Sequence, residues 1–294
     1  MGSIKIAVGM IVFEGDYVLR QCLDQLYPHV DQILIAEGPV TFWQKLGKTT
    51  SQDNTNKILN EYPDPENKLV VVHGQFREKD DQSNAYTRYI RDNIDYLWMV
   101  DSDEVYKTND IIRLKEYLGK EMPTSVGVQS CTFYGGFNHY LTGFEQLRDN
   151  FLRIFRYTKG ATWLRHRPPT INYPTNIERK HITSDQLFKD TGIQMYHYSY
   201  VFPDQVHKKM SYYATFVRNG TIFNYFQNVY LPWVTGNDLD RRHIEAQNLG
   251  VHEWVPSRRG ACFTAKFNDV HPESISNSLT ELNKVFAEQL FRHL

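Results

Sequence analysis

The five residues Tyr96-Leu97-Trp98-Met99-Val100 constrain the fold of this chain more than any other segment. The run is apolar with no polar alternation, which suits a strand covered on both faces, as in a parallel sheet between layers of helices. The residues before it repeat the pattern. Ile4 to Phe13 reads as a strand, Tyr17 to Leu26 carries Val18, Cys22 and Leu26 at helical spacing, and Gln32 to Ala36 is a second apolar run that stops at Glu37-Gly38-Pro39. Ser51-Gln52-Asp53-Asn54 offers side chains that cap a helix through Ile58 and Leu59, and Leu69 to His73 reads as a third strand. A helix through Ala85, Tyr89 and Ile94 leads into the central run. This alternation predicts an α/β fold with a mostly parallel central sheet and flanking helices.

Further along, a helix over Asp110 to Leu118 precedes two strand candidates, Val126 to Tyr134 and Phe151 to Tyr157. Beyond Tyr200 the character changes: Pro203 to Arg218 reads as helix, an aromatic stretch follows, and Ser278 to Leu294 reads as a closing helix. We therefore expect a catalytic domain over 1–200 and a helical, aromatic C-terminal extension over 201–294. With 294 residues, 41% of them apolar, the chain can bury a substantial core. Lys and Arg number 33 against 34 Asp and Glu, so no chain-wide field favours nucleic acid. The three cysteines, Cys22, Cys131 and Cys262, lack the spacing of a zinc site or disulfide framework and read as reduced core thiols. No signal peptide or membrane span is seen, and a soluble cytoplasmic enzyme is the expectation.

Asp101-Ser102-Asp103-Glu104 follows the buried run directly, so its carboxylates are expected at the carboxyl edge of the sheet, where open α/β folds hold ligands. Two carboxylates one residue apart there can share magnesium or manganese, hard cations that take oxygen ligands and bridge phosphates. Such an ion stabilises the charge on a departing nucleoside diphosphate. The alternative is a solvated acidic loop that caps the next helix. A second pair, Asp238-Leu239-Asp240, stands between Gly236-Asn237 and Arg241-Arg242 and reads as a helix start with solvated charges.

The order of these features resembles the family-two group of GT-A glycosyltransferases over most of the chain. The first strand through Val12, Phe13 and Glu14, and the second strand ending in Glu37, look like that family's nucleotide-binding opening. Ser51-Gln52-Asp53-Asn54-Thr55 is similar to its Ser-Thr-Asp-Gly-Thr turn, which implies that Asp53 meets the base or ribose. Asn84 falls where the family carries Arg-Asn, Ser83 replaces that arginine, and Arg88, about one turn on, is the substitute for diphosphate contacts. The resemblance implies that Asp101 and Ser102 lie near the nucleotide sugar, with Asp101 near ribose or metal and Asp103 on the metal. It implies a UDP- or GDP-linked sugar as donor, a glycan or other hydroxyl as acceptor, inversion, and Mn2+ or Mg2+ as cofactor.

GT-A enzymes often add a metal ligand from a later histidine, and His197 in Tyr196-His197-Tyr198 is the candidate; the alternative is a core histidine satisfied by backbone. An inverting transfer needs a carboxylate to accept the acceptor's proton, for which Glu145 and Asp149 are candidates, with Glu178 behind them. His166-Arg167-Pro168-Pro169 and the aromatics Tyr134, Phe137, Tyr140 and Trp163 are read either as an acceptor groove or as core packing. The stretch Val40 to Thr50 looks like an insertion relative to the family, whose Phe42, Trp43 and Lys45 face either a donor or their own scaffold. His207, near Lys208 and Lys209, is a candidate phosphate contact.

Two other functions compete. Met99-Val100-Asp101-Ser102-Asp103-Glu104-Val105 also fits the opening of a haloacid-dehalogenase-like phosphatase, with Asp101 as nucleophile and Asp103 as acid/base. A GT-A fold kept for carbohydrate recognition without catalysis is the other.

Overall fold

The computed structural model describes residues 4–143, 151–214, 224–248 and 262–294. In chain order the elements are β1 (Ile6–Val12), α1 (Leu19–Leu26), β2 (Gln32–Glu37), α2 (Thr41–Lys45), α3 (Thr55–Asn60), β3 (Leu69–His73), α4 (Lys79–Thr87), β4 (Tyr96–Met99), β5 (Glu104–Val105) and α5 (Thr108–Glu121). Strands β6 (Ser125–Gly127), β7 (Gln129–Tyr134), β8 (His139–Leu141), β9 (Leu152–Arg156), β10 (Thr162–Arg165), β11 (Thr170–Asn172) and β12 (His181–Ile182) follow. The chain continues through α6 (Ser184–Thr191), β13 (Gln194–Tyr200) and α7 (Pro203–Tyr213). It ends with a π-helical turn at Phe226–Tyr230, α8 (Leu231–Thr235), α9 (Asp238–Asn248), β14 (Thr264–Lys266) and α10 (Glu273–His293).

These elements form two compact units, Met1–Val128 with Asp149–Gln194, and Gln129–Arg148 with Met195–Leu294. The division differs from the one expected at residue 200, because 129–148 leave the first unit for the second. The apolar stretch Val126 to Tyr134, read as one strand, is two: β6 and β7 belong to different sheets. Both halves are made of residues that suit a strand and no Gly-Pro or Asn-Gly signal stands at Val128, so the break leaves no mark in the local pattern.

The first unit is built on a seven-stranded sheet in the order β12-β6-β9-β4-β1-β2-β3. Strands β4, β1, β2 and β3 run parallel, paired at Gly9–Met99, Val12–Glu37 and Glu37–His73. β9 runs antiparallel to both β4 and β6, and β12 is parallel to β6, so only β9 reverses. With its flanking helices this is a mixed α/β architecture with a mostly parallel central sheet, the Rossmann-like form expected of a GT-A domain. Every residue of β2 and of β4 is buried, which accounts for their lack of polar alternation.

Gln82 of α4 is buried and donates from Nε2 to the carbonyls of Val12 (3.2 Å), Ala36 (2.9 Å) and Gly38 (3.2 Å), holding the carboxyl ends of β1 and β2 together. Gly38 sits at φ +146°, and a Cβ there would run into the carbonyl oxygen of Gly74. Gly38→Ala is therefore expected to lose about 2–3 kcal/mol in chemical denaturation, from backbone strain and the clash together.

The second unit joins β14, β8, β7 and β13 in that order in one sheet. β8 is antiparallel to both β7 and β14. Its core is aromatic: Phe133 stacks on Tyr198 with centroids 4.7 Å apart, and Tyr134 meets Trp233 edge-on at 5.0 Å. Asp238 and Asp240 lie in the first turn of α9, with Asn237 Oδ1 accepting the N–H groups of Leu239 (2.8 Å) and Asp240 (3.1 Å). That pair is a helix start, as its sequence setting suggested. Cys22, Cys131 and Cys262 are all buried and outside any disulfide, in keeping with core thiols. No helix among the described residues is long and apolar enough to cross a membrane.

Candidate active site at the carboxyl edge of the first unit

Parallel strands deliver their following loops to one edge, so the turns after β1, β2, β3 and β4 converge. The turn after β1 docks on the turn before α3. Glu14 N–H donates to Ser51 Oγ (2.8 Å), Gly15 N–H to Thr55 Oγ1 (2.9 Å) and Asp16 N–H to Asp53 Oδ2 (3.3 Å). Asp53 Oδ1 accepts Thr55 N–H at 3.0 Å, and Asp16 Oδ2 accepts both N–H groups of Asn54, at 3.1 and 3.2 Å. Burial, and then the neighbouring Asp53, push the Asp16 carboxyl above its ordinary range. Thus Asp53, read as a partner of base or ribose, is already oriented by two backbone amides.

Glu37 is buried and bridges two loops: Oε1 accepts Ser51 N–H (3.0 Å) while Oε2 meets His73 Nδ1 (3.0 Å). Its carboxylate is engaged in scaffold bonds at the position where a nucleotide contact was expected. The stretch Val40 to Thr50 contains α2 and packs on the same edge. Trp43 meets Phe13 at 5.8 Å and Phe42 at 4.7 Å, and Lys48 Nζ pairs with Glu14 Oε1 at 3.0 Å. Those rings face their own scaffold, and Lys45 is exposed.

The acidic motif closes on itself. Glu104 N–H donates to Asp101 O (3.0 Å) and Asp101 N–H to Glu104 Oε2 (3.2 Å). Gly15 abuts this turn, since a Cβ on it would come within 2.7 Å of Ser102 Oγ. Glu104 is fully buried, which is possible because Arg153 of β9 reaches it. Arg153 Nε donates to Glu104 Oε2 at 3.0 Å, and its Nη2 bonds Glu104 Oε1 and lies 3.2 Å from Asp101 Oδ2. The Arg153 side chain is 1% exposed. The same Asp101 oxygen receives Arg167 Nη2 at 3.1 Å, from the hairpin of β10 and β11. Burial acts to raise the Asp101 carboxyl, but the two guanidinium groups prevail and hold it well below the ordinary carboxylate range. Asp101 is thus a permanent anion with both cations on one oxygen.

His166, next to Arg167, is buried; its backbone N–H donates to Asp80 Oδ1 (2.9 Å) and its Nδ1 lies 3.4 Å from Ser83 Oγ. Burial pushes its pKa down to about 3, with Asp101 opposing and Lys79, Arg167 and Arg153 adding to the fall. It is a neutral imidazole at any ordinary pH.

Two further expectations change on placement. Asn84 exchanges two hydrogen bonds with the backbone of Trp163, Nδ2 to O at 2.9 Å and N to Oδ1 at 2.8 Å, so its amide joins α4 to β10. Arg88 stands at the C-terminal end of α4, where its Nε donates to Ala85 O at 3.2 Å. The residues just after it bond Gln32, the first residue of β2, through Gln32 Nε2 to Tyr89 O (2.8 Å) and Arg91 N to Gln32 Oε1 (3.0 Å). Arg88 is therefore at the amino edge, opposite the acidic motif, because a helix that leaves one edge of a parallel sheet ends at the other.

His197 belongs to the second unit, on β13, with Nδ1 3.5 Å from Thr132 Oγ1. Tyr134 and Phe137 are buried in the core of that unit, and Trp163 is buried against Phe155 at 5.2 Å in the first. Those three are packing residues; Tyr140 is half-buried on β8. His207 lies on α7, its ring 5.0 Å from Phe226. Glu178 is exposed, and Glu145 and Asp149 lie outside the described residues. Among the described residues no cluster of three or more His, Cys, Asp or Glu could hold a metal. The motif still fits a cation of the kind held by one or two carboxylates and completed by substrate phosphates. Its donors are all hard oxygens, and Asp101 is kept ionised.

Sequence reasoning passed over Arg153, Gln82 and the neutral state of His166. The first had a signal: a lone arginine within Leu152-Arg153-Ile154-Phe155 is out of place in a core strand unless it is paired.

No family model and no curated protein matches the sequence. Among solved structures, S. aureus TarS is similar at 13% identity and a TM-score of 0.42, over 76% of this chain and 43% of that one. This chain thus spans less than half the length of that structure. TarS residues 1–349 in complex with UDP-GlcNAc align at 12% identity and a TM-score of 0.40, over 98% of this chain and 83% of that one. The 4-diphosphocytidyl-2C-methyl-D-erythritolsynthase from Anaerococcus prevotii DSM 20548 aligns at 10% identity and a TM-score of 0.29, over 76% and 83%. These values are too low to transfer any residue's role.

Proposed function

We propose that this chain is a metal-dependent glycosyltransferase that moves a sugar from a nucleoside diphosphate to a hydroxyl acceptor such as a glycan, with inversion. The observation that carries the reading is the position of Asp101 and Asp103 on the turn after the buried parallel strand β4, beside the turn after β1 and one loop from Asp53. Ligands of open α/β sheets bind at that edge.

In this reading Asp53 takes the base or ribose and Asp101 the ribose, while Val12, Phe13 and Glu14 line the floor. Asp103, with Asp101 beside it, holds Mn2+ or Mg2+. The cation supplies charge stabilisation for the departing diphosphate. Burial of Glu104 against Arg153 fixes the turn that presents Ser102 and Asp103, so the carboxylates need no reorganisation when nucleotide arrives. Glu145 and Asp149 are the proposed bases for the acceptor hydroxyl.

The test is calorimetric titration of uridine and guanosine diphosphates and their sugars, with manganese, magnesium or chelator, into wild type and Asp103→Ala. One nucleotide should bind with metal and weaken by at least about tenfold in the variant. Absence of nucleotide binding, with phosphate released from small phosphomonoesters instead, would overturn the reading in favour of a phosphatase.

A further inference from the structure

Arg153 and Arg167 reach the same oxygen of Asp101, yet they are not equivalent. Arg153 is 1% exposed and is held by Glu104 as well as Asp101, so it is fixed in place. The Arg167 side chain is 50% exposed, whereas that of Asp101 is 17% exposed. Arg167 lies in the connection between β10 and β11. Its ion pair is the more solvent-facing of the two. Counting charges, Asp101 and Glu104 are balanced by Arg153 and Arg167, so this part of the motif carries no surplus negative charge against an incoming anion. A guanidinium presents a planar fork that suits phosphate oxygens in pairs, and it can exchange a carboxylate for a diphosphate without losing hydrogen bonds.

Resting on the reading of this edge as a nucleoside-diphosphate site, we propose that Arg167 is the residue that takes up the diphosphate, parked on Asp101 until nucleotide arrives. When the diphosphate enters, Arg167 leaves Asp101 Oδ2 and pairs with phosphate oxygens, while Arg153 keeps Asp101 oriented. The role expected of Arg88 thereby falls to a residue on the correct edge of the sheet.

The experiment compares, in chelator, the affinity for the diphosphate that wild type binds with that for the matching nucleoside, the weaker one read by ligand-detected NMR. Their ratio isolates the phosphate contribution. Arg167→Gln should lower the ratio about tenfold, with nucleoside binding unchanged. Arg167→Lys should restore part of it. Asp101→Asn should raise the ratio by freeing the guanidinium, and Asp101→Asn with Arg167→Gln should show no such rise. An unchanged ratio in Arg167→Gln, or a rise in Asp101→Asn that persists in the double variant, would overturn the proposal while leaving the nucleotide site intact. Failure of the wild type to bind any diphosphate, with metal or in chelator, would overturn the site itself, and binding that vanishes entirely in chelator would overturn the role of Arg167 as the group that takes up the diphosphate.

Discussion

Arg153→Met is expected to destabilise the first unit by about 3–5 kcal/mol, because it leaves two carboxylates without their buried cation. Glu104 is fully buried and takes a charge-assisted bond from Arg153 on each carboxylate oxygen, so it has no route back to water. Asp101 suffers less, since Arg167 remains on it at 3.1 Å. A loss of that size is a large share of the 5–15 kcal/mol typical of a whole domain, and expression alone should report it. The sharper measurement is urea denaturation of Arg153→Met against the double variant with Glu104→Leu. The double variant exchanges the buried pair for apolar side chains and should recover most of the loss. Failure to recover would mean that Arg153 acts through packing, for instance against Phe151, whose ring centre is 5.1 Å away. Arg153→Lys keeps the charge but not the fork, and is expected to fall between the two.

His166 should make the protein markedly less stable in acid. Its pKa is about 3 in the fold against an ordinary 6.5, with burial the leading cause. Between those values the unfolded chain binds a proton that the folded chain does not. Stability therefore falls as pH drops from about 6.5 toward about 3, and is fully present only above that window. Each pH unit contributes up to about 1.4 kcal/mol, so about 2–3 kcal/mol should be lost between pH 6.5 and 4.5 from this residue. Denaturation midpoints across that range, for wild type and His166→Gln, measure it: the variant should be less stable at neutral pH but show a shallower slope. Identical slopes would show that His166 is protonated in the fold, with Asp101 outweighing burial. The permanent ionisation of Asp101 acts in the same direction but in a lower window, contributing stability above the ordinary carboxylate pKa of 3.8 and losing it as pH falls below that value.

Both predictions concern residues whose environment is set by side chains far apart in sequence, and this marks the limit of what the chain could be read to say. Strands β1, β2 and β4 were legible because burial on both faces leaves a direct trace, apolar runs ended by Gly, Pro or acids, and the half-buried edge strand β3 was legible from its run of Leu and Val. Helices α1 and α3 followed from spacing and capping residues. The carboxyl-edge position of Asp101 and Asp103 was legible too, since it follows from strand direction alone. The break between β6 and β7 was not, because a run of strand-forming residues looks the same whether it serves one sheet or two.

The sequence by itself thus determined the layered α/β frame and the edge at which its acids gather, through periodicity and local turn chemistry that act within a few residues. Tertiary structure decided the rest. It placed Arg88 at the amino edge, away from the acidic motif, engaged Glu37 and Asn84 in scaffold bonds, and set Arg153 and Arg167 on one oxygen of Asp101 from 52 and 66 residues away. Charge pairing acts through space over a few ångströms, and sequence spacing carries no record of which distant residues the fold will bring that close.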